Sequence, residues 1–396
     1  MTTLRSVVVT GIGAVSCLGA DVPAFWRGLL AARSAPSAIG DPLAHMPYPL
    51  VYQVDNRGVP AGPQAVADVP LGRAARFAVA AGRAAVADAG LTEPETRAAA
   101  LVFGSEMGNS DVDESRRADG ASDPRSRWHS AAVTAAAVST TLGLAGASTS
   151  ISNACAASGY AMVVALDMIR SGEHDTVLVG GAEGRSRVAL GAFNRLGAVD
   201  PDRCRPFDRH RRGTIFGEGA AMLVLQDAAT ARRHGRTPYA EVAGGAWSCD
   251  GYHATAPEPT ARQLLRAMGE TLGESGLGAG QIGCVIPHGT GTRHNDVMES
   301  RALCEFFGTY RPPLLSLKSS LGHTAGAAMA FACVAAALVL RHGLIPPSPR
   351  LGEQDPECDV WIPQDEPVPI GPAAILLNAL AFGGNNVSLL IKGLGT

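Results

Sequence analysis

Short apolar runs, each broken off by a turn signal, set the rhythm of this chain. VVVTG (7–11), ALVFGS (100–105), TVLVGG (176–181), AMLVLQ (221–226), CVIPHG (284–289) and AAILLN (373–378) are rich in Val, Ile and Leu. Continuous apolar runs of this length predict strands buried on both faces. The segments 73–90, 155–171, 261–276, 297–307 and 324–341 predict helices between them. Segment 324–341 is the most apolar, but it is Ala-rich and interrupted by Gly326, so it predicts a buried core helix rather than a membrane span. The polar stretch 106–130 predicts an irregular loop or insertion. The Pro-rich stretch 343–372 predicts extended connections with a small hairpin.

The same plan occurs twice. In the first half VVVTGIGAVS opens, a helix precedes ALVFGSEMG, and SISNAC leads a helix that feeds TVLVGGAE. In the second half YAEVAGGAWS opens, a helix precedes CVIPHGTG, and LLSLKSSLGH leads a helix that feeds AAILLNALAFGG. Cys155 and His323 then fall at corresponding strand-to-helix junctions, and His288 falls at the end of a matching strand. Two facing halves, residues 1–238 and 239–396, would bring the three side chains together.

Composition narrows the function classes. Of the 396 residues, 46% are hydrophobic and 17% charged, which suits a large buried core and not a disordered chain. Few aromatics (5%) and abundant Gly and Ala favour a layered α/β architecture whose helices and strands approach closely. The net charge of −3, with no basic block, argues against nucleic-acid binding but leaves room for an acidic carrier protein at a local basic patch. The eight cysteines form no CxxC pair, which removes zinc and thioredoxin-like chemistry and fits free thiols in a cytoplasmic protein. The start, MTTLRSVVVTGIGAVS, enters a strand directly and lacks the features of a secretion signal. Its GIGAVS also lacks the GxGxxG spacing of a dinucleotide site.

The residues able to carry chemistry sit at the junctions. Cys155 falls in the first turn of a helix, where N–H groups and the helix dipole lower a thiol pKa from about 8.5 toward neutrality. A lone buried cysteine is more often inert packing. His288 opens the polar turn His-Gly-Thr-Gly-Thr, in which Thr290 and Thr292 offer hydroxyls. Lys318 and His323 precede a helix start made almost wholly of small residues, which leaves space. Glu299, on the helix after His288, is placed to reach Lys318. Asn378 and the glycines of AFGGNN (381–386) form another strand-end turn, whose backbone N–H groups could join that of Cys155 in an oxyanion hole. Alone, each has a plain structural explanation: a satisfied histidine, a helix cap, an exposed charge, a tight turn. His253 is taken as a loop histidine.

The set as a whole resembles the β-ketoacyl-acyl carrier protein synthases, the elongating condensing enzymes of the thiolase fold. The resemblance runs nearly end to end, through VVVTGIGAVSCLGADVPAFWRGLLAARSA, NACAASG, RPFDRHRRGTIFGEGAAMLVL, HGTGTRHNDVMES, LKSSLGHTAGAA and NALAFGGNN. It implies two pseudo-symmetric βαβαβαββ halves in a five-layered α-β-α-β-α sandwich. It assigns Cys155, His288 and His323 as a Cys-His-His triad, with Lys318 and Glu299 as the pair that orients it. Thr290 and Thr292 match positions that contact the phosphopantetheine arm. Phe382 matches a gating aromatic whose N–H joins that of Cys155, with Gly383 and Asn385 beside it at the substrate. The second histidine favours the decarboxylating, elongating class, and Cys155 argues against the nucleophile-free chain-length-factor partners.

The implied reaction loads an acyl group on Cys155 and condenses it with malonyl-carrier as CO₂ departs. It needs no intrinsic cofactor, because its substrates ride on acyl carrier protein. The implied assembly is a homodimer, or a heterodimer with a chain-length-factor-like subunit. Asn153, Ile286-Pro287, Thr214 and Asn385 depart from the family pattern. They point to an altered pocket and toward specialised polyketide-type assembly rather than housekeeping fatty acid synthesis. Two other readings stay open: a non-elongating acyltransferase on the same fold, and a silent partner that shapes another subunit's pocket.

Overall fold

A computed structural model describes residues 4–41, 45–120, 131–371 and 373–395. Nine strands carry the architecture: β1 (Val7–Ser16), β2 (Ala100–Gly104), β3 (Ser148–Ile151), β4 (Thr176–Glu183), β5 (Gly219–Asp227), β6 (Ala240–Cys249), β7 (Ile282–Ile286), β8 (Ala374–Ala381) and β9 (Asn385–Lys392). Six helices cover them: α1 (Arg73–Asp88), α2 (Ala132–Leu142), α3 (Ala157–Arg170), α4 (Arg262–Ser275), α5 (Arg293–Phe307) and α6 (Ala328–His342).

The repeat is visible in the strand order. From β1 outward the first half runs β1-β5-β4-β2-β3, and from β6 outward the second runs β6-β9-β8-β7. The senses match too. β2 and β4 pair parallel, as do β7 and β8, while β1–β5 and β6–β9 are antiparallel. The second half's counterpart of β3 is reduced to a bridge between Leu314 and Val285. Each half is therefore a βαβαβαββ unit. The halves are not separate sheets, because β1 and β6 pair at Val8–Glu241 and Val9–Ala240 and join all nine strands.

Both opening strands bulge at the same place. The register slips between Val9 and Gly11 in β1 and between Val242 and Gly244 in β6. A Cβ on Gly11 would lie 2.3 Å from the Ala85 carbonyl oxygen, and one on Gly244 would lie 2.4 Å from that of Thr271. In each half the covering helix, α1 or α4, thus rests directly on strand backbone, which only glycine permits.

Three hydrophobic cores fill the spaces between layers. α3 and α6, one from each half, pack together between the two arms of the sheet, and Met162, Leu166, Ile169, Met329, Phe331 and Val334 are buried there. α1 and α2 cover the outer face of the first half through Phe77, Val79 and Val138. α4 and α5 cover the second through Leu264, Met268 and Leu303. This is the five-layered sandwich. α6 is buried over most of its length, in keeping with a core helix.

Some local expectations need correction. The stretch 106–130 is not all irregular, since Ser110–Ala118 is helical, with acidic residues in its first turn and basic ones in its last, as the helix dipole favours. Residues 121–130 lie outside the described residues. β7 ends at Ile286, so His288 and Gly289 belong to the following turn. Asn378 lies inside β8, not in a strand-end turn. In the Pro-rich stretch, Leu344–Ile345 pairs with Val368–Pro369.

Candidate active site

Cys155 does not begin a regular α-helix directly. It sits in a 3-10 turn, Ala154–Ala156, immediately ahead of α3, and is 4% exposed. Ala154 holds φ at +47°, a conformation that costs a residue with a Cβ about 1–2 kcal/mol. The second half repeats the device: Ala325 holds φ at +41° and opens a 3-10 turn, Ala325–Ala327, ahead of α6. The two positive-φ alanines align Cys155 with Gly326, not with His323, which lies three residues earlier. A Cβ on Gly326 would come within 2.6 Å of the Glu106 nitrogen and 2.7 Å of Glu183 Oε1. The absent side chain makes room for the Glu106 backbone and the Glu183 carboxylate.

The turn after β7 is organised by carboxylates at the start of α5. Glu299 accepts the backbone N–H of His288 (2.7 Å) and of Gly289 (2.8 Å). Asp296 accepts those of Thr290 (3.0 Å) and Gly291 (3.2 Å) and is paired with Arg211. Thr290 and Thr292 share a hydroxyl hydrogen bond of 2.8 Å. Glu299 and Lys318 are joined through His288 rather than by an ion pair. Lys318 Nζ donates to the His288 carbonyl oxygen and lies 3.4 Å from His288 Nδ1.

His323 is anchored by its backbone to the strand-like segment before Gly217, with N–H to Ile215 O at 2.7 Å. Its Nδ1 accepts the Ala325 N–H at 3.2 Å. An Nδ1 that accepts leaves the ring proton on Nε2. The ammonium beside His288 Nδ1 fixes the same tautomer there. Burial lowers both imidazole pKa values well below the ordinary histidine range, and Lys318 adds to this. Both rings are therefore neutral Nε2–H donors, with centroids 5.4 Å apart and planes at 83°.

Phe382 opens the turn Phe382–Gly384 between β8 and β9. Its ring stacks on Phe193 at 5.4 Å, and Phe193 meets Phe216 edge-on. Gly383 takes φ +82° and donates its N–H to Ala254 O. Among the described residues, neither the Cys155 nor the Phe382 N–H donates to a protein acceptor. Asn385 bonds the Phe382 carbonyl with its Nδ2 and the Tyr160 hydroxyl with its Oδ1. Asn153 lies beside the same hydroxyl. Two of the positions that depart from the family pattern thus lie around one phenol, between the Cys155 turn and the Phe382 turn.

A cavity of about 300 Å³ is lined by Cys155, His288, His323, Thr290, Thr292 and Phe382. Thr214, a third departing position, lines it too. Of the other residues named from the sequence, Glu299 and Lys318 hold the His288 turn from behind, and Gly383 and Asn385 flank Phe382. Asn378 faces a separate small cavity behind His288 and Lys318. His253 is exposed in its loop, where its Nδ1 accepts two backbone N–H groups.

The thiol's surroundings overturn one expectation. Burial pushes the Cys155 pKa well up, and the Glu106 charge adds to it, outweighing Lys318. Glu106 Oε2 lies 3.5 Å from Sγ. Burial and a neighbouring carboxylate therefore work against the helix start at this thiol. Sequence reasoning passed over Glu106, Glu183 and Asp296. The signal for Glu106 was the repeat itself: it stands two residues beyond β2, as His288 stands two beyond β7.

Comparison with known proteins agrees with this geometry. Residues 4–231 match the family model for the N-terminal domain of β-ketoacyl synthases, and residues 239–351 match that for the C-terminal domain. The chain is 34% identical to Nodulation protein E of Rhizobium meliloti, over 98% of this chain and 99% of that protein. It is 31% identical to 3-oxoacyl-[acyl-carrier-protein] synthase 2 of Mycobacterium bovis, over 97% of this chain and 96% of that protein. The ishigamide ketosynthase/chain length factor superposes with a TM-score of 0.90 at 36% identity, covering 99% of this chain and 100% of that one. A type II PKS ketosynthase in complex with its acyl-carrier protein superposes at 0.86 with 25% identity, covering 99% and 100%. With a fold, a motif series and a site geometry that all agree, the chain belongs to the β-ketoacyl synthase family of condensing enzymes.

Proposed function

We propose that this chain is the catalytic, elongating subunit of a specialised polyketide-type ketosynthase. The observation that carries the reading is the convergence of Cys155, His288 and His323 on one cavity with both imidazoles fixed as Nε2–H donors. Cys155 accepts the acyl group from an acyl carrier protein as a thioester. Malonyl-carrier then enters past Thr290 and Thr292, which hold its phosphopantetheine arm. As the malonyl carboxylate leaves as CO₂, the two Nε2–H groups stabilise the enolate on the thioester oxygen. The enolate carbon attacks the Cys155 thioester, and the Cys155 and Phe382 N–H groups hold the tetrahedral oxyanion. The thiolate departs and is reprotonated, releasing a β-ketoacyl chain two carbons longer. Lys318 and Glu299 position the histidines without touching substrate.

No cofactor is assigned to the chain; both substrates arrive on the carrier. The polyketide reading is supported by the likeness to the ishigamide ketosynthase/chain length factor and to a type II PKS ketosynthase, and by Thr214 in the cavity lining. The two halves divide between residues 238 and 239, just before β6. The open edge of β3, Ser148–Ile151, is the face offered to a second subunit, either another copy or a chain-length-factor-like partner. The eight unpaired cysteines fit a cytoplasmic location. The test is radiolabelled malonyl-carrier with acyl-carrier: a β-keto product and CO₂ support the reading. Cys155→Ala must abolish acyl loading, and a variant that still condenses would overturn it.

A further inference from the structure

Something must take the proton from Cys155 when the acyl group arrives, and the histidines are ill placed to do it. Both hold Nδ1 as an acceptor, from the Ala325 N–H and from Lys318, so both present Nε2 already protonated. Among the described residues the hydrogen-bond acceptor of Sγ is Glu106 Oε2, at 3.5 Å. We propose that Glu106 is a catalytic residue that takes the Cys155 thiol proton during acyl loading and returns it to the departing phosphopantetheine thiolate. The inference rests on the reading of Cys155 as acyl acceptor.

Three features of the fold build this site. The repeat sets Glu106 two residues beyond β2, in the place that His288 takes beyond β7, and there its carboxylate reaches the Cys155 thiol. Gly326, the counterpart of Cys155, clears the space that the Glu106 backbone and Glu183 occupy. Glu183, at the end of β4, accepts the backbone N–H groups of Glu106 and Met107 and the Ser105 hydroxyl, which fixes the segment carrying Glu106. Burial raises the Glu106 pKa from the ordinary carboxylate range, and a base with raised affinity suits a proton held by a thiol. The groups facing the pair are Glu183 from β4, Lys318 from the second half, and the neutral His288 and His323.

The step balances without a co-reactant. The Sγ–H bond breaks as an O–H bond forms on Glu106, and Sγ bonds the acyl carbon. The carrier's C–S bond breaks, and its thiolate takes the Glu106 proton. Decarboxylation of malonyl-carrier needs no such transfer.

The experiment measures both steps in the full chain, using an octanoyl-loaded acyl carrier protein for loading and a malonyl-loaded one for CO₂ release. Glu106→Gln should slow loading at pH 7 by roughly tenfold or more beyond any loss of decarboxylation. Its loading should climb with pH, as unaided thiol ionisation takes over, where the wild type stays flatter. Glu106→Asp, which keeps a carboxylate, should recover part of the rate. Equal loading by Glu106→Gln and wild type, or parallel loss of both steps, overturns the proposal. A wild-type chain that takes no acyl group overturns the reading of Cys155 instead.

Discussion

A single backbone N–H, that of Ala325, decides what His323 can do. By occupying Nδ1 it makes the ring a donor, which suits an enolate and not a thiol proton. His323→Ala should therefore cut CO₂ release from malonyl-carrier by about 100-fold while Cys155 still loads, as separate loading and decarboxylation assays would show. Comparable loss of both would mean that His323 acts on the nucleophile. The Tyr160 phenol works at the same scale, bonding Asn385 beyond Phe382 and lying beside Asn153 ahead of Cys155. Tyr160→Phe should lower kcat more than it raises KM, because it loosens the spacing of the Cys155 and Phe382 N–H groups proposed to hold the oxyanion; a change in KM alone would contradict this. Cys155, His288 and His323 were legible because each sits in a run of small or turn residues that packing alone does not require. Glu106 was not, because a carboxylate beside a thiol leaves no mark in its own neighbourhood and emerges only when the two halves are superposed.

The elements show the repeat more sharply than the residues do. The shared bulge puts Gly11 under α1 and Gly244 under α4, each with a backbone oxygen where a Cβ would go. Gly11→Ala and Gly244→Ala should each cost about 1–3 kcal/mol of stability, measured by denaturant unfolding. Unchanged midpoints would mean that the helices can retreat from the strands. Gly326→Ala should be worse for activity than for stability, since its Cβ strikes the segment that carries Glu106. Strand and helix alternation, and the two-fold plan, were legible from apolar runs and glycines. The helix Ser110–Ala118 was not, because none of its residues is buried and the apolar period never appears. The joining of the halves into one sheet was equally hidden, since it depends on two residue pairs between β1 and β6.

At the scale of the whole molecule, the buried carboxyls tie stability to pH. Burial pushes Glu183 up to about 8 and Glu299 up to about 7. A carboxyl raised in the fold contributes stability at low pH that is lost as pH climbs from its unfolded value to its folded one. The two histidines, lowered by burial, act oppositely but only below their ordinary value of 6.5. Between about pH 7 and 8, above the Glu299 value, the Glu183 contribution goes on falling, by on the order of 1 kcal/mol per pH unit. Glu183→Gln should flatten the fall in thermal midpoint over that window, and an unaltered slope would refute the assignment. The central claim is that this fold places an acyl acceptor and a decarboxylating pair in one cavity. It is tested most directly by mass spectrometry of the Cys155 peptide after incubation with acyl-carrier, followed by CO₂ counting when malonyl-carrier is added. The account predicts the acyl mass on Cys155 and one CO₂ for each acyl group consumed. An unmodified Cys155, or an acyl group that leaves Cys155 with no CO₂ released, would contradict it.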